Sequence, residues 1–289
     1  MLDSYLPAAQ VYNVTQSSGE RAIVTYAGFE KQAYIDGAVM LGRSLARLRL
    51  RAQLVCLVQR TMADASKLRL EAAGWTLQEV QPWLPEGWNK RNCGYWHDAY
   101  NKVDIFRLPF SQVLYLDADT YVFGKRSDLR PLVDQELRPE EIKMVGDVNG
   151  VSYNSGVMVF RPSLEAFRSV HSAMATGLLD QPAINKAFDG RIIELPFRYN
   201  VHGYGEHNCS DVVVAHFTGL HKPAEARSAN MQLVADGTAA QGKFALSCAN
   251  LFTDYFRDLH REAEFLSPEL RGLLGRTEFG LPSAGSLRK

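Results

Sequence analysis

The sequence predicts an α/β fold in which a central sheet is flanked by helices. From Ala22 onward, short apolar runs alternate with segments whose apolar residues recur at helical spacing. The chain has 289 residues, of which 46% are hydrophobic, so it can bury a large core. We expect an N-terminal extension over residues 1–20, a single domain over 21–275 and a flexible C-terminal tail over 276–289.

The first elements follow the order strand, helix, strand, helix, strand. The three strands are expected at Ala22 to Tyr26, Gln53 to Gln59 and Leu77 to Val80. A helix from about residue 63 to 73, with Gly74 at its C-cap, precedes the third strand. The first helix has one apolar face, formed by Tyr34, Ala38, Leu41, Leu45 and Leu48. This order predicts a largely parallel sheet between two layers of helices.

The second half of the chain continues the alternation. Helices are expected at Leu164 to Ala175 and Pro182 to Phe188, and strands at Gln112 to Leu116, Met144 to Gly146, Val157 to Phe160, Ile192 to Leu195 and Val212 to Phe217. Between the two halves, Pro82 to Tyr100 reads as a long loop that carries Trp83, Trp88 and Trp96. Such a loop can act as a lid, or its aromatic side chains can pack it onto the core.

Composition and charge argue against several kinds of binding partner and structural site. Lys+Arg and Asp+Glu both number 32, so no long-range field favours nucleic acid or an anionic membrane. The N-terminal residues lack the pattern of a signal peptide, and no run approaches the roughly 20 apolar residues that span a bilayer. Cys56, Cys93, Cys209 and Cys248 form no Cys-x-x-Cys pair, which argues against zinc and disulfides. We expect a cytoplasmic protein with no nucleic-acid or membrane partner.

The segment Val113 to Val122, which reads VLYLDADTYV, runs an apolar strand into two carboxylates. Asp117 and Asp119 are two positions apart, so they point to the same side of an extended chain and can reach one divalent cation. Oxygen ligands suit Mg²⁺ or Mn²⁺ rather than Zn²⁺. The alternative is an Asp-rich turn that ends a strand.

A second apolar strand ends at His216, which is followed by Gly219 and Lys222. Imidazole with two carboxylates would make a Mn²⁺ site, and Gly219 with Lys222 would let backbone and ammonium approach a diphosphate. Alone, a histidine at a strand end is more often structural.

Two further segments carry polar side chains beside predicted elements. Asn154 and Ser155 precede a strand, where they can bond sugar hydroxyls or simply form a turn. Asp180, followed by Gln181, is placed as the N-cap of the next helix, which is the usual role of aspartate there.

Together these segments resemble glycosyltransferase family 8, the group that includes glycogenin, galactinol synthases and bacterial lipopolysaccharide galactosyltransferases. The resemblance spans most of the chain. The segments that carry it, in order, are Ala22 to Tyr26, Tyr34 with Gly37 to Leu45, Tyr100 to Val103, Leu116 to Asp119, Tyr153 to Pro162, Asp180-Gln181, Leu195-Pro196, Tyr199-Asn200 and His216 to Pro223.

The resemblance implies a GT-A fold, a Rossmann-like mixed sheet that binds a UDP-sugar and Mn²⁺, or Mg²⁺, at its strand ends. It implies that Asp117, Asp119 and His216 are metal ligands. Positions matching the nucleotide-sugar site are Val24, Thr25, Tyr26, Tyr34, Lys102, Asp117, Ala118, Asp119, Asn154, Ser155, Gly219 and Lys222. Positions matching catalytic residues are Asp180, Gln181 and Lys222.

The implied reaction transfers glucose or galactose from a UDP-hexose, with retention, to a hydroxyl of a cytosolic carbohydrate or glycoprotein acceptor, and a homodimer is compatible with it. A metal and Lys222 would stabilise the departing diphosphate. Retention requires either a protein nucleophile or front-face attack. Asp180 and Gln181 are the candidates nearest the sugar, and the sequence leaves both routes open.

Two departures from the family pattern bear on the acceptor. Ala224 follows Lys222-Pro223, where family members commonly have Trp. The stretch from Asn200 to His216 is shorter than the glycogenin region that carries the self-glucosylated tyrosine. Tyr204 lies in that stretch, so a self-glucosylating primer is the alternative to a separate acceptor.

Two other classes are rivals. A haloacid-dehalogenase-type phosphatase also has an apolar strand followed by Asp-x-Asp. Two points argue against it: residue 121 is Tyr where that family has Thr or Val, and the phosphatase motif follows the first strand of its fold, whereas here it comes after three strands. A non-catalytic sugar-nucleotide-binding module would keep the pocket without turnover, but retention of Asp119, His216 and Lys222 argues against it. No glycine-rich dinucleotide or P-loop motif occurs.

Overall fold

A seven-stranded mixed sheet forms the centre of the protein, with strand order β3-β2-β1-β4-β7-β6-β8. The computed structural model describes residues 19–28, 32–87, 94–202 and 209–218. The strands of this sheet are β1 (Arg21–Tyr26), β2 (Gln53–Gln59), β3 (Thr76–Val80), β4 (Gln112–Leu116), β6 (Ile142–Gly146), β7 (Tyr153–Phe160) and β8 (Ile192–Leu195). The predicted α/β class is confirmed.

Helices cover both faces of the sheet. They are α1 (Gln32–Ala46), α2 (Asp64–Ala72), α3 (Arg126–Asp134), α4 (Leu164–Ala175), α5 (Asp180–Ala187) and a 3₁₀ helix at Gly94–Arg107. One core cluster joins α1, α2 and α3 to the sheet, and the other joins α4, α5 and the 3₁₀ helix to its opposite face. Because both faces are covered, the central strands β4 and β7 are buried at almost every position.

The antiparallel direction of β7 places its first residues at the edge of the sheet where β4 ends. β3, β2, β1 and β4 run parallel, and β6 and β8 are parallel to each other. β7 lies between β4 and β6 and is antiparallel to both. The first residues of β7 therefore lie beside the end of β4, where the backbone N–H of Asp117 donates to the carbonyl of Gly156 at 2.8 Å.

A second, two-stranded sheet joins distant parts of the chain. Its strands are β5 (Thr120–Val122) and β9 (Val214–His216), which pair antiparallel with Thr120 opposite His216. Thr120 follows Asp119 directly, so this pairing places the histidine beside the Asp117-Ala118-Asp119 turn.

Several predicted elements differ from the structure. Asn154 and Ser155 lie inside β7 rather than in a turn before it, and Asp180 is the first residue of α5, whose N-cap is Leu179. The helix after β2 spans Asp64–Ala72 with Ala73 as its C-cap, and Gly74 follows with φ of 100°. The strand β5 was not predicted because it has only three residues, and the helix α3 was not predicted because most of its residues are polar.

The predicted long loop is partly helical. Gly94 to Tyr100 belong to the 3₁₀ helix, and Trp83 packs on His171 with ring centroids 4.1 Å apart. That contact favours the interpretation in which the aromatic residue anchors the segment to the core. Trp88 lies outside the described residues, and movement of this segment on ligand binding stays a prediction.

The terminal predictions are not tested. Residues 1–18 and the predicted tail from residue 276 lie outside the described part of the chain. Within the described part, no helix combines the length and apolar character needed to cross a membrane. Cys56 is buried, as the apolar pattern around it predicted.

Gly37 lets α1 touch the Asp117-Ala118-Asp119 turn. A Cβ at this position would lie 2.4 Å from the carbonyl oxygen of Ala118, closer than van der Waals contact allows. The obstructing atom is backbone, so only displacement of the turn or of the helix could relieve the clash.

We expect Gly37→Ala to weaken binding of Mn²⁺ at least tenfold, as is typical when groups that orient ligands are disturbed (about 10- to 100-fold). Alanine favours helix by about 1 kcal/mol, so the loss would not come from helix propensity. Gly42→Ala is the matched control, since its Cβ would lie 2.5 Å from Nε1 of Trp75. It should lower the melting temperature and leave Mn²⁺ affinity, measured by calorimetric titration, unchanged. Equal affinity losses would contradict this account.

Candidate functional site

Asp117, Asp119 and His216 converge at the edge where β4 ends. One potential ligand atom from each lies within 4.8 Å of the others. Nε2 of His216 is 3.2 Å from Oδ1 of Asp119 and 3.6 Å from Oδ2 of Asp117. The predicted metal ligands are therefore brought together from two segments almost a hundred residues apart.

A tight turn presents the two carboxylates. Both the backbone N–H and the hydroxyl of Thr120 donate to the carbonyl of Asp117, at 3.0 and 2.7 Å. The backbone N–H of Phe217 donates to the carbonyl of Asp119 at 2.9 Å, which ties the turn to the end of β9. Asp119 and His216 are buried, whereas the side chain of Asp117 is 25% exposed.

The two carboxylate oxygens of Asp117 have different neighbours. Oδ1 accepts a hydrogen bond from the hydroxyl of Tyr115 at 2.7 Å and one from Nζ of Lys102 at 2.9 Å. Burial, and then the charge of Asp117, hold the pKa of Tyr115 well above its usual value, so this hydroxyl remains a donor. Oδ2 is left to face His216, which fixes the side of the carboxylate available to a cation.

Lys102 is the centre of a buried ion network. Its ammonium contacts Asp180 at 3.0 Å and the carbonyl and hydroxyl of Ser155 at 3.0 and 3.2 Å, in addition to Asp117. Burial alone would lower the pKa of Lys102, but the two carboxylates outweigh it and raise that pKa. The lysine is therefore charged, and it offsets part of the negative charge at this edge.

Gln181 is held with a defined orientation. Its Oε1 accepts from the backbone N–H of Ser155 at 3.3 Å, and its Nε2 donates to Oδ2 of Asp147 at 2.7 Å. Oδ1 of Asp147 in turn lies 3.2 Å from Nε2 of His202. Burial lowers the pKa of this histidine. Through Lys102 and Ser155, Asp180 and Gln181 thus belong to the same network as Asp117 of the metal-ligand cluster.

His216 is backed by two asparagines and a glycine. Its Nδ1 is 3.0 Å from Oδ1 of Asn200, and Nδ2 of Asn200 donates to Oδ1 of Asn154 at 2.8 Å. The backbone N–H of Gly156 donates to the same Asn154 oxygen at 2.9 Å. A Cβ at Gly156 would lie 2.2 Å from Cε1 of the imidazole, so only glycine leaves room for the ring.

Four of the residues that match the nucleotide-sugar site, Val24, Thr25, Tyr26 and Tyr34, lie on β1 and α1 near this edge. In the parallel pairing of β1 and β4, Val24 lies opposite Tyr115, two residues before Asp117. The hydroxyl of Tyr26 donates to the carbonyl of Asp98 and accepts from Asn101. Thr25 is fully buried. Val24, Tyr26, Tyr34 and Ala118 are each more than nine-tenths buried. Their contact with a nucleotide stays a prediction.

Two predicted site residues, Gly219 and Lys222, lie outside the described residues, as does Tyr204. Eight of the predicted site residues fall into one connected network around the β4 edge, formed by Lys102, Asp117, Asp119, Asn154, Ser155, Asp180, Gln181 and His216.

Sequence reasoning missed four side chains of this network, namely Tyr115, Asp147, Asn200 and His202, as well as the role of Gly156. A usable signal existed for two of them. Tyr115 lies two positions before Asp117 and therefore on the same side of the chain. Asp147 follows β6 directly, as Asp117 follows β4, and residues that follow strands of one direction meet at one edge.

The cluster suits a hard or borderline divalent cation. Two carboxylates and one imidazole match the ligand preferences of Mn²⁺, and Mg²⁺ is also compatible with the oxygen ligands. Nε2 of His216 and two carboxylate oxygens face one another. Three such acceptors in a buried position require a cation, or a proton, between them.

A mixed sheet with this strand order, an acidic turn after β4 and a histidine from β9 defines a GT-A protein, the class of α/β folds that bind nucleotide-sugars. The chain belongs to glycosyl transferase family 8, whose sequence profile matches residues 32–224. The resemblance that the sequence motifs indicated is thereby confirmed, and with it the GT-A fold. Family membership also excludes the phosphatase alternative.

Curated relatives include enzymes with different sugars in their names. The chain is 30% identical over 135 residues to UDP-glucuronate:xylan alpha-glucuronosyltransferase 1 of Arabidopsis thaliana, covering 45% of this chain and 18% of that protein. It is 27% identical over 217 residues to glycogenin-1 of Mus musculus, covering 66% of this chain and 62% of that protein. The chain thus spans well under two thirds of the length of most of these relatives, such as 37% of glycogenin from Komagataella phaffii.

Solved structures agree on the fold. The galactosyltransferase LgtC, in complex with donor and acceptor sugar analogs, superposes with a TM-score of 0.58 at 19% identity, covering 87% of this chain and 99% of that one. The glycosyltransferase GlyE of Streptococcus pneumoniae TIGR4 has a TM-score of 0.55 at 16% identity, with 89% and 64% covered.

We expect Gly156→Ala to lower Mn²⁺ affinity by about 10- to 100-fold, because the added methyl group displaces the imidazole of His216. Gly146→Ala, at the end of neighbouring β6, is the control. Its Cβ would meet only Oε1 of Glu194, the end of a flexible side chain, at 3.2 Å. Titration of both variants with Mn²⁺, followed by electron paramagnetic resonance, separates the two cases. Wild-type affinity in Gly156→Ala would show that His216 is not a ligand.

We expect Lys102→Met to lower the free energy of unfolding by about 3 kcal/mol, because it leaves Asp117 and Asp180 without their buried partner. Mn²⁺ should restore part of this loss, since a cation replaces some of the missing charge. Urea unfolding with chelator and with Mn²⁺ measures both effects. Lys67→Met breaks a more exposed pair with Glu79 and should cost less than about 1 kcal/mol. Similar losses in the two variants would contradict the network.

Proposed function

We propose that the chain is a retaining, Mn²⁺-dependent UDP-hexose:acceptor α-glycosyltransferase that transfers glucose or galactose to an acceptor hydroxyl. The observation that carries this proposal is the cluster of Asp117, Asp119 and His216 at the strand-end edge of a family 8 chain. Ligands of open α/β sheets bind beyond the carboxyl ends of the strands, where this cluster lies.

The bound cation would supply Lewis-acid stabilisation of the UDP diphosphate. Asp117, Asp119 and His216 would hold it. Lys222 follows His216 by six residues and is proposed to add a positive charge beside the diphosphate as UDP leaves. Val24, Thr25, Tyr26 and Tyr34 are proposed to enclose the uridine, which excludes water from one side of the donor.

Retention of configuration involves Asp180 and Gln181 in this proposal. Oδ2 of Asp180 is engaged by Lys102 at 3.0 Å and by the Ser155 hydroxyl at 3.1 Å. A carboxylate so neutralised is a weaker nucleophile than an isolated one, which supports front-face attack with Asp180 as a sugar-binding group. The amide of Gln181 is aligned by Ser155 and Asp147, and its Oε1 is proposed to stabilise the developing positive charge on the sugar.

The charge pattern supports a neutral donor sugar over a uronate. Glucuronate carries a carboxylate that would need an available cation. Among the described residues of the site, Lys102 carries a basic side chain, and it already contacts Asp117 and Asp180. Asp147 adds further negative charge at the same edge. We therefore propose UDP-glucose or UDP-galactose as donor, although one of the relatives above, UDP-glucuronate:xylan alpha-glucuronosyltransferase 1, carries glucuronate in its name.

A separate acceptor is proposed, a cytosolic carbohydrate, polyol or protein-linked glycan, with the protein itself cytoplasmic. The shortened stretch between Asn200 and His216 supports this over self-glucosylation, because it leaves little chain to present a tyrosine to its own site. Tyr204 is the residue whose modification would favour the glycogenin-like alternative. A homodimer is compatible with either.

We expect Asp119→Asn to abolish Mn²⁺-dependent UDP binding and to reduce turnover by at least about 100-fold, because one of two charged ligands is lost with little change of shape. Asp189→Asn, at an exposed aspartate distant in sequence from the cluster, is the control. Calorimetry with UDP, with and without Mn²⁺, gives the binding result, and circular dichroism verifies the fold. Sugar transfer by Asp119→Asn without added metal would refute the assignment.

The reaction itself is tested with a donor panel of UDP-glucose, UDP-galactose and UDP-glucuronate in the presence of Mn²⁺. Release of UDP is expected with a hexose and not with glucuronate, and an acceptor-glycoside screen then identifies the hydroxyl. Incorporation of radiolabelled sugar into the purified protein alone, lost in Tyr204→Phe, would overturn the separate acceptor. Absence of UDP release with every donor and acceptor would favour a non-catalytic binding module.

A further inference from the structure

The asparagine behind His216 carries an inference about the state of that imidazole. Asn200 is fully buried, and it is held in place because the next residue, Val201, pairs with Ala215 of β9. Val201 donates its backbone N–H to Val214 and accepts from the N–H of His216, both at 2.9 Å. The asparagine and the histidine are therefore fixed relative to each other by backbone hydrogen bonds.

The orientation of both amides follows from one backbone group. The N–H of Gly156 can only donate, so the Asn154 atom that faces it at 2.9 Å must be the acceptor oxygen. The Asn200 atom 2.8 Å from that oxygen must then be the donor, Nδ2. The remaining atom of Asn200, 3.0 Å from Nδ1 of His216, is therefore its oxygen.

An oxygen opposite Nδ1 requires a hydrogen on Nδ1. In a neutral imidazole the other nitrogen, Nε2, then carries a lone pair. Nε2 is the atom that faces Asp119 at 3.2 Å and Asp117 at 3.6 Å. The opposite tautomer would be favoured by the carboxylates themselves, because an Nε2–H group could donate to Asp119 and satisfy the cluster without any cation.

We propose that Asn200 is a positioning residue that holds His216 in the tautomer with hydrogen on Nδ1, and so keeps Nε2 available as a metal ligand. Asn154 and Gly156 act through Asn200, since they determine which end of its amide meets the imidazole. The inference deepens the proposed function, but the tautomer itself does not depend on sugar transfer.

The first test reads the tautomer directly. The full chain, labelled with ¹⁵N-histidine and treated with chelator, is studied by NMR at alkaline pH, where the ring is neutral, and the His216 signals are assigned with His216→Gln. Wild type should show a protonated Nδ1 and an unprotonated Nε2. In Asn200→Ala the hydrogen should move to Nε2, toward the carboxylates. A wild-type ring protonated on Nε2, or an unchanged tautomer in Asn200→Ala, would overturn the proposal.

The second test measures Mn²⁺ affinity without UDP, by electron paramagnetic resonance. Asn200→Ala should bind about 10- to 100-fold more weakly. Asn200→Asp keeps an acceptor opposite Nδ1 and should recover part of that loss. Asn185→Ala is the matched control for Mn²⁺ affinity. The half-buried side chain of Asn185 bonds the backbone of Tyr153 at 2.8 Å in both directions and donates to the carbonyl of Gln181 at 2.9 Å, but it contacts none of the three proposed metal ligands. Equal losses in the Asn185 and Asn200 variants would contradict a specific role.

The outcomes also separate this inference from the proposed function. A wild-type protein with the Nδ1 hydrogen that failed to bind Mn²⁺ would refute the metal-dependent transferase and retain the tautomer. Strong Mn²⁺ binding by a chain whose metal-free form has the Nε2 tautomer would refute the tautomer and retain the metal-dependent transferase. If Asn200→Ala fails to fold by circular dichroism, the wild-type tautomer and the affinity of Asn200→Asp decide.

Discussion

The Asp117 carboxylate is the interaction on which this site depends, because its two oxygens serve different partners. Oδ1 is bound by Lys102 and Tyr115, which are both buried, and Oδ2 is turned toward His216. The ammonium of Lys102 thus compensates charge on this partly buried carboxylate. Within the described residues, the ammonium of Lys102 is shared between Asp117 and Asp180, and Asp119 faces His216. This concentration of carboxylates suits the edge to a divalent cation.

Two short strands position His216, the third proposed metal ligand. β5 and β9 each have three residues, which is too few for independent stability, yet they bring Thr120 opposite His216. Hydrogen bonds from Thr120 to Asp117 and from Phe217 to Asp119 extend the same contact into the turn. Gly37 lets the helix α1 approach this turn, and Gly156 leaves room beside β7 for the imidazole of His216. The geometry therefore depends on the backbone as much as on the ligands.

The fold was predictable because apolar strands and an amphipathic helix have clear periods. The predicted face of α1, from Tyr34 to Leu48, is buried throughout, and β8 spans the predicted residues. The Asp117-Ala118-Asp119 motif and His216 were likewise found as polar residues that end apolar strands. The short β5, the 3₁₀ helix and the role of Asn200 could not be predicted, because each depends on contacts between distant segments. Asp180 shows the same limit, since the local pattern predicts an N-cap, whereas its ion pair with the buried Lys102 is a tertiary contact.

The most direct test of the central claim is the anomalous scattering of Mn²⁺ in crystals of the full chain grown with UDP. The account predicts one strong peak bound by Asp117, Asp119 and Nε2 of His216 at about 2.0–2.6 Å, the usual range for such ligands. It also predicts that the ammonium of Lys102 remains on Oδ1 of Asp117 rather than being displaced. A peak bound elsewhere, for example by Asp147, or no peak at Mn²⁺ concentrations that support UDP binding, would contradict the account.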